Sequence, residues 1–176
     1  MGTDKVPILF IPALTPARVM FFIRPRRGDT FMVRMLGIVL AVIFALLSFL
    51  HLYWAAGGRF GSGAAIPTAA NGRRLLRPSP VGTILVAAAL FAAMLVVLGR
   101  VKILGDLVPG WIFHLGTWVI ALLFLLRTIG DFRYVGFFKS VSGTGFARWD
   151  TILFSPLCLF IAVAAFLVSY YEPRES

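Results

Sequence analysis

The sequence predicts an all-α membrane protein in which four transmembrane helices form an antiparallel bundle. Of its 176 residues, 60% are apolar and 14% are charged, and the mean hydropathy is +0.93. A soluble domain has roughly 45–50% apolar and about 25% charged residues. A bilayer core of about 30 Å requires about 20 apolar residues in a helix, and four runs of nearly that length carry almost no charge. The composition therefore favours one membrane domain, at residues 35–171, over a water-soluble domain.

Each predicted span is followed within a few positions by a charged residue that ends it. The spans cover about residues 35–54, 80–99, 110–126 and 152–171. Ser79-Pro80 and Ser155-Pro156 are predicted to begin the second and fourth helices, because serine caps helix N-termini and proline suits the first helical position. A start near Asp150 is the alternative for the fourth helix, and it would place Pro156 inside the first turns and bend them.

The residues outside the spans leave the orientation open. Residues 1–34 form a basic leader, which is either an interfacial segment or the result of a wrong start codon, and residues 172–176 form a short polar tail. The leader, second loop and tail hold nine basic residues, against eight in the first and third loops. The positive-inside rule does not separate these numbers. We expect both termini to be cytoplasmic because of the basic leader.

The excess of basic residues indicates a membrane surface as the partner. Seventeen Lys and Arg against seven Asp and Glu give a net charge of +10, spread among the segments between the spans. Nucleic acid is not expected, because no single basic stripe follows a phosphate backbone, whereas anionic lipid headgroups attract flanking basic residues by about 1 kcal/mol each. Cys158 has no second cysteine as a disulfide partner. With two separated histidines and one cysteine, neither a metal site nor a cofactor is predicted.

Small residues recur at helical spacing on the first two spans. Gly37, Ala41 and Ala45 follow one another at intervals of four on the first span, and Ala88 and Ala92 repeat the spacing on the second. Such residues let helix backbones approach closely. We interpret them as internal packing, with the seam of a homo-oligomer as the alternative. A shift of 76 residues also aligns the first helical hairpin with the second, which suggests a duplication.

A polar cluster is predicted where the first and third spans end. His51 lies sixteen residues beyond Met35 and Arg127 sixteen beyond Trp111, so the two side chains are expected at one depth. Asp131 follows Arg127 by one helical turn, and we expect the two to pair in an interfacial network. One alternative is a site for an anionic ligand or lipid phosphate, and another is a catalytic site with His51 or Asp131 as general base. Further binding candidates just outside the cluster are Trp54, Arg59, Arg133 and Tyr134.

The third loop alternates aromatic and basic residues. This pattern is typical of a segment at headgroup depth. The residues expected there are Phe137, Phe138, Phe146 and Trp149, with Lys139 and Arg148 reaching lipid phosphates. The Ser142–Gly145 stretch lacks the lysine and the preceding strand of a phosphate-binding loop, and we interpret it as a turn.

Four segments of the sequence resemble a bacterial membrane family, domain of unknown function 3995. They are HLYWAAGGRFG (51–61), AAIPT (64–68), FLLRTIGDFRYVGFFKSVSGTGFARWDT (124–151) and SPLCLF (155–160). The resemblance covers about residues 36–168, and residues 130–136 are its most specific part. It implies a small four-helix protein of the bacterial inner membrane and implies no activity.

We therefore expect a non-enzymatic membrane protein whose ligand- or headgroup-binding face lies on the loops after the first and third helices. The alternatives are an oligomeric small transporter or channel for a small anionic solute and, third, a membrane enzyme acting on a lipid-linked substrate.

Overall fold

The structure, a computed structural model, describes residues 27–67, 78–105 and 108–171, and side chains from Phe31 onward. Regular structure in this part of the chain is entirely helical: α1 (Arg27–Ala55), α2 (Ser62–Ala65), α3 (Pro80–Arg100), α4 (Gly110–Ile129), α5 (Gly145–Trp149), a π-helical turn (Asp150–Phe154) and α6 (Ser155–Tyr170). Four segments are long and apolar enough to cross a membrane: Phe31–Ala55, Pro80–Arg100, Gly110–Ile129 and Gly145–Tyr170. The prediction of an all-α protein with four spans is confirmed.

The four spans pack as two antiparallel hairpins that lie side by side. The first span packs along the second and the third along the fourth, while contacts of α3 with α4 and of α1 with α6 join the hairpins. Because α1 and α4 cross in the same direction, the loops that follow them lie at the same end of the bundle, where α2 contacts α5. We call residues 51–67 and 127–151 the loop end.

The centre of the bundle is apolar and closely packed. Three of the four spans contribute completely buried side chains to it, namely Leu40, Phe44, Val97, Ile161 and Val168. Large side chains on the outer faces are exposed to the surroundings of the bundle, as expected for helices whose outer faces contact lipid. Association of the helices then relies on van der Waals packing rather than on the removal of apolar surface from water.

Small residues on α1 allow a neighbouring backbone segment to approach. Gly37 is buried, and a Cβ atom at this position would run into the Val101 side chain at the end of α3. Ala41 is buried and Ala45 is half-buried on the same helix.

The expected packing residues of the second span lie on its outer face. Ala88 and Ala92 are exposed, so the expectation that they pack inside the bundle is wrong. Ala87 is the buried alanine, and its carbonyl accepts a hydrogen bond of 2.9 Å from the Ser48 hydroxyl of α1. Each helical residue turns the side chain by about 100°, so a difference of one position separates the inside from the outside. A homo-oligomer seam through Ala88 and Ala92 stays a prediction.

The second span begins where the sequence predicts. Ser79 Oγ accepts a hydrogen bond of 3.1 Å from the backbone N–H of Gly82, and Pro80 is the first residue of α3. The hydroxyl thus satisfies one of the N–H groups that have no partner within the helix.

The fourth span begins ten residues earlier than Ser155, so the predicted Ser-Pro start is wrong. Thr144 is the N-cap, and its hydroxyl oxygen accepts from the Ala147 N–H at 3.0 Å. Pro156 consequently lies inside the span, where a proline removes one hydrogen bond and crowds the preceding turn. The wide π-helical turn directly before it, in which the Ser155 N–H reaches the Asp150 carbonyl, accommodates the ring.

The first span also starts before its predicted boundary at residue 35. α1 begins at Arg27, so the end of the predicted leader is helical. Residues 1–26 of the leader and the tail at 172–176 lie outside the described residues.

Candidate functional site

Asp150 is the centre of a buried polar network at the loop end. Its side chain is completely buried in the π-helical turn. Oδ1 accepts from Arg127 Nη2 at 2.8 Å. Oδ2 accepts from Lys139 Nζ at 3.0 Å, from the Gly136 N–H at 2.9 Å and from the Ser155 hydroxyl at 3.3 Å. One carboxylate therefore joins the end of α4, the loop after it and the start of the fourth span.

The Lys139 ammonium is enclosed in the same network. Its side chain is only 6% exposed, and Nζ also donates to the Gly136 carbonyl at 3.0 Å and to Thr151 Oγ1 at 2.6 Å. Three donated bonds use all three N–H groups of an ammonium. The expectation that Lys139 reaches a lipid phosphate is therefore wrong. Because one carboxylate faces two cations, the group of Arg127, Lys139 and Asp150 carries a net charge of +1.

Arg127 does not pair with Asp131, contrary to the prediction. α4 ends at Ile129, and Gly130 takes a positive φ of 88°. The chain leaves the helix before Asp131, so the helical relation between positions four apart does not apply. Arg127 turns to Asp150 instead, with its side chain 34% exposed. Its buried Nη1 has no hydrogen-bond partner among the described residues.

Asp131 organises the loop that follows α4. Its Oδ1 accepts hydrogen bonds from the backbone N–H groups of Arg133 at 3.0 Å, Tyr134 at 2.7 Å and Val135 at 2.9 Å. Burial acts to raise the pKa of this carboxyl, but the hydrogen bonds from Tyr134, Val135 and Arg133 outweigh it, and the pKa lies below its ordinary value of 3.8. A carboxylate with a lowered pKa is a weak base, which argues against Asp131 as general base.

Two glycines let the backbone of this loop cross itself. Gly130 and Gly136 both have positive φ, 88° and 91°. A Cβ on Gly130 would collide with the Val135 carbonyl, and one on Gly136 would collide with the Ile129 carbonyl. The path of the backbone through residues 130–136 therefore requires glycine at both ends and is held by the Asp131 hydrogen bonds.

His51 and Trp54 shape the first loop. His51 Nδ1 donates to the Leu47 carbonyl at 2.7 Å, and the rings of His51 and Trp54 meet edge to face with centroids 5.0 Å apart. Trp54 Nε1 donates to the Phe60 carbonyl at 2.7 Å, which folds the loop back onto the end of α1.

The three residues at the centre of the predicted cluster do not form one site. His51, Arg127 and Asp131 all belong to the loop end, but within the described part of the chain no hydrogen bond or ion pair links them to one another. The sequence analysis did not identify Asp150 as the ion-pair partner of Arg127, and it did not predict that Lys139 is buried. The only sequence signal for Asp150 is its position as the last acidic residue before the final apolar run.

Exposed aromatic and basic side chains form the surface of the loop end. We call this surface the platform. Its members are Phe60, Phe132, Phe138 and Trp149 together with Arg59, Arg133 and Arg148, all of them exposed. The Arg133 guanidinium lies 5.3 Å from the centre of the Tyr134 ring. Phe137 is also exposed, whereas the expectation for Phe146 is wrong, because this side chain is 3% exposed and its ring neighbours Phe154.

The loop end carries a positive charge. Its described residues include five Lys and Arg against two Asp, an excess of three cations. Both carboxylates are engaged, Asp150 by the buried network and Asp131 by backbone N–H groups. The platform arginines have no ion pair with any described residue.

A cleft of about 420 Å³ with several polar residues in its lining opens at the loop end next to the buried network. Its polar lining consists of Lys139, Ser142, Thr144, Arg148 and Thr151. The turn at Ser142–Gly145 therefore forms one wall of a cavity.

A second cavity is an apolar groove of about 570 Å³ between α4 and α6. Leu115, Trp118, Ala121, Ala162 and Phe166 contribute to its lining. Because these residues lie within two membrane spans, the groove suits a hydrocarbon chain and offers no group for chemistry. Near it, Trp118 Nε1 donates to His114 Nε2 at 3.2 Å, one helical turn away.

Within the described ranges, no group of three or more His, Cys, Asp and Glu residues is arranged to hold a metal ion. Cys158 is buried and forms no disulfide bond within the chain.

Comparison with known families gives a match over most of the chain. The model of a family described as "Protein of unknown function (DUF3995)" matches residues 44–165. The match covers more than half of the chain and includes the whole loop end. No curated protein and no solved structure matches the chain.

Proposed function

The chain belongs to the DUF3995 family of proteins of unknown function, and we propose that it is a non-enzymatic membrane protein that binds anionic lipid headgroups at its loop end. The observation that carries the proposal is the platform, on which exposed aromatic rings stand beside Arg59, Arg133 and Arg148. The charges of these arginines are not neutralised by any described carboxylate.

The chemistry of the platform suits a bilayer interface. Tryptophan concentrates at headgroup depth, and phenylalanine in interfacial segments inserts its apolar ring at the boundary between headgroups and acyl chains. Arginine presents a planar fork of donors that matches the oxygens of a phosphate. Phe60, the most exposed of the rings at 81%, would insert among the lipids while Arg59 beside it contacts phosphates.

The buried network holds part of the platform in place. Asp150 fixes the loop after α4 to the start of the fourth span, so the exposed side chains are held on a rigid base. Rigid presentation lowers the entropy that binding must overcome. The net positive charge of the network adds to the field that attracts anions.

The alternatives lack comparable support. A path for anions within one copy of the chain requires polar groups between the spans, whereas the centre of the bundle is filled by Leu40, Phe44, Val97 and Ile161. For an enzyme, Asp131 is unsuited as a general base because its pKa is lowered, and within the described residues neither Arg127 nor Asp131 forms a hydrogen bond with His51.

The proposed location is the bacterial inner membrane, as the family resemblance implies. Anionic lipids are abundant on the surface of such membranes. The homo-oligomer seam on the outer face of α3 is a separate proposal, and headgroup binding does not depend on it.

The experiment is native mass spectrometry of the full-length protein extracted from membranes in mild detergent. We expect anionic lipids to be retained in preference to neutral ones. Replacing Arg59, Arg133 and Arg148 together by glutamine should weaken retention by about 3 kcal/mol, on the order of a hundredfold, at about 1 kcal/mol for each charge.

The matched control is Arg34→Gln, which removes one exposed arginine at the opposite end of the bundle and should weaken retention by no more than about fivefold, the equivalent of about 1 kcal/mol. Equal retention of neutral and anionic lipids by the wild type, or a triple variant that behaves like the wild type, would contradict the proposal.

A further inference from the structure

We propose that the cleft beside Lys139 is a specific binding site for a phosphate group, carried by a lipid headgroup or free in solution. The inference rests on the proposed function, because it assigns the position at which the loop end holds a phosphate. It differs from the proposed function in being local: one cavity, rather than the whole platform, makes the decisive contacts.

The cleft has the charge that a phosphate requires. Lys139 and Arg148 are the ionisable residues in its lining, and no carboxylate contributes to the lining. The nearest acid, Asp150, is completely buried and already faces Arg127 as well as Lys139. A single carboxylate cannot neutralise two cations, so the wall of the cleft that includes Lys139 retains positive charge.

The cleft also has hydrogen-bond donors that the protein itself does not use. The Arg148 guanidinium and the Ser142 hydroxyl have no hydrogen-bond or ion-pair partner among the described residues. Thr144 Oγ1 accepts from the Ala147 N–H, and this contact leaves the proton of the hydroxyl available. An arginine fork and two hydroxyls supply several donors to the oxygens of one phosphate, and bonds from a charged donor are the strongest of these.

Other polar groups of the lining are engaged and form the fixed wall. Thr151 Oγ1 accepts from Lys139 Nζ at 2.6 Å and donates to the Ala147 carbonyl at 3.0 Å. Lys139 is held by three acceptors. This division gives the cleft a rigid charged wall and a set of available donors, which is the arrangement that lowers the cost of ordering on binding.

The volume is sufficient for a headgroup. About 420 Å³ falls in the range of about 300–1,000 Å³ that is usual for sites of small ligands. The cleft lies at the start of the fourth span, which is the depth at which the phosphate of a lipid would be found. A lipid phosphate and a free phosphate present the same oxygens, and the source is therefore a matter for the experiment.

Two binding measurements on the full-length protein in nanodiscs test the proposal. Native mass spectrometry measures the retention of phosphatidic acid from nanodiscs of phosphatidylcholine with phosphatidic acid. Calorimetric titration measures the affinity for inorganic phosphate in nanodiscs of phosphatidylcholine alone. Loss of a hydrogen bond to a charged group corresponds to about 1.5–3 kcal/mol, so Arg148→Gln should weaken binding roughly tenfold to a hundredfold.

The matched control is Arg133→Gln. Arg133 is an exposed arginine on the same platform, but it lies over the Tyr134 ring and outside the lining of the cleft. Arg133→Gln removes one positive charge, as Arg148→Gln does, and so lowers the general attraction for anions equally. It should change phosphate binding by no more than about sixfold, the equivalent of about 1 kcal/mol.

A second variant blocks the space without changing any charge. Gly145 lines the cleft, and a Cβ atom built at this position meets no atom within 4 Å, so Gly145→Leu should be accommodated by the fold. We expect this variant to lose phosphate binding to a similar extent as Arg148→Gln, while general adsorption to anionic vesicles is retained.

The outcomes separate the two proposals and the two phosphate sources. Loss of phosphatidic acid in Arg148→Gln and Gly145→Leu, without measurable binding of inorganic phosphate by the wild type, supports the cleft as a headgroup site. Binding of inorganic phosphate that both variants lose supports it as a site for free phosphate. Equal losses in Arg148→Gln and Arg133→Gln, with normal binding by Gly145→Leu, would overturn the cleft and leave the headgroup function standing. A wild type with no preference for anionic lipid and no affinity for phosphate would overturn both.

Discussion

Replacing Asp150 by asparagine should be the most damaging removal of a single charge at the loop end. Asparagine preserves the shape of the side chain but removes the counter-charge of two cations. Lys139, with its side chain 6% exposed, cannot regain water without opening the loop, whereas Arg127, at 34%, is able to turn partly outward. The substitution therefore leaves at least one buried cation unpaired.

The magnitude follows from the geometry of the network. The two ion pairs have N···O distances of 2.8 and 3.0 Å, and at an effective dielectric constant of about 20 each attracts by roughly 5–6 kcal/mol. Desolvation of the ions, several kcal/mol for each, offsets much of this attraction. Removing one partner of a buried ion pair typically costs about 3–5 kcal/mol, because the charge left behind is not compensated. We expect Asp150→Asn to lower the free energy of unfolding by that amount.

The assay is reversible unfolding of the full-length protein in mixed micelles, followed by helical circular dichroism as the fraction of denaturing detergent rises. A double-mutant cycle with Arg127→Met isolates the pairwise contribution. The cycle should give a coupling of about 0.5–3 kcal/mol between Arg127 and Asp150. The same cycle between Arg127 and Asp131 should be additive within about 0.5 kcal/mol, because these two residues do not touch.

Two results would refute this reasoning. One is a cost below about 1 kcal/mol for Asp150→Asn, the size expected for an exposed ion pair rather than a buried one. The other is a coupling of Arg127 to Asp131 as strong as its coupling to Asp150, which would restore the pairing predicted from the sequence.

Three further predictions concern the backbone of the loop end and the start of the second span. Gly136→Ala should prevent folding or lower the free energy of unfolding by more than about 3 kcal/mol, because the new Cβ meets the backbone at Ile129. The control is Gly143→Ala, which has a positive φ but no atom within 4 Å of the new Cβ and should cost only about 1–2 kcal/mol. Similar costs for both variants would refute the close backbone contact between Gly136 and Ile129. Ser79→Ala should cost about 1 kcal/mol through loss of the N-cap, measured by the same unfolding assay, and Ser79→Asp should recover most of it. Because the pKa of Asp131 is lowered in the folded state, its ionised carboxylate contributes fully to stability at pH values above its ordinary pKa of 3.8. This contribution is lost as the pH falls through the lower pKa of the folded state. Asp131→Asn should remove this part of the dependence of stability on acid pH, and an unchanged pH profile would contradict the prediction.

The number of spans and their approximate positions follow from the sequence alone. The cost of placing a segment in a bilayer depends on the composition of about 20 consecutive residues, so the sequence predicts four spans and the structure has four. The cap at Ser79 depends on atoms only three residues apart. Alternation of the spans across the bilayer then places the loops after α1 and α4 at one end.

The partner of each polar side chain at that end was decided only by the tertiary structure. Arg127 has a carboxylate four residues away in the sequence and takes one 23 residues away instead, because Gly130 ends the helix before Asp131. The positive φ values of Gly130 and Gly136 then return the loop to the start of the fourth span. Backbone contacts between residues that are distant in the sequence determine this path, and the spacing of apolar residues along the chain does not predict such contacts.

The direction in which each helical side chain points was likewise decided by packing. Ala87 rather than Ala88 faces α1, and Phe146 of α5 is buried although the sequence predicts it at headgroup depth. One residue changes the direction by about 100° on a helix, and two spans that are apolar on all sides give no amphipathic signal for the face that contacts a neighbour. That face is selected by the fit of side chains between helices, a property of the assembled bundle.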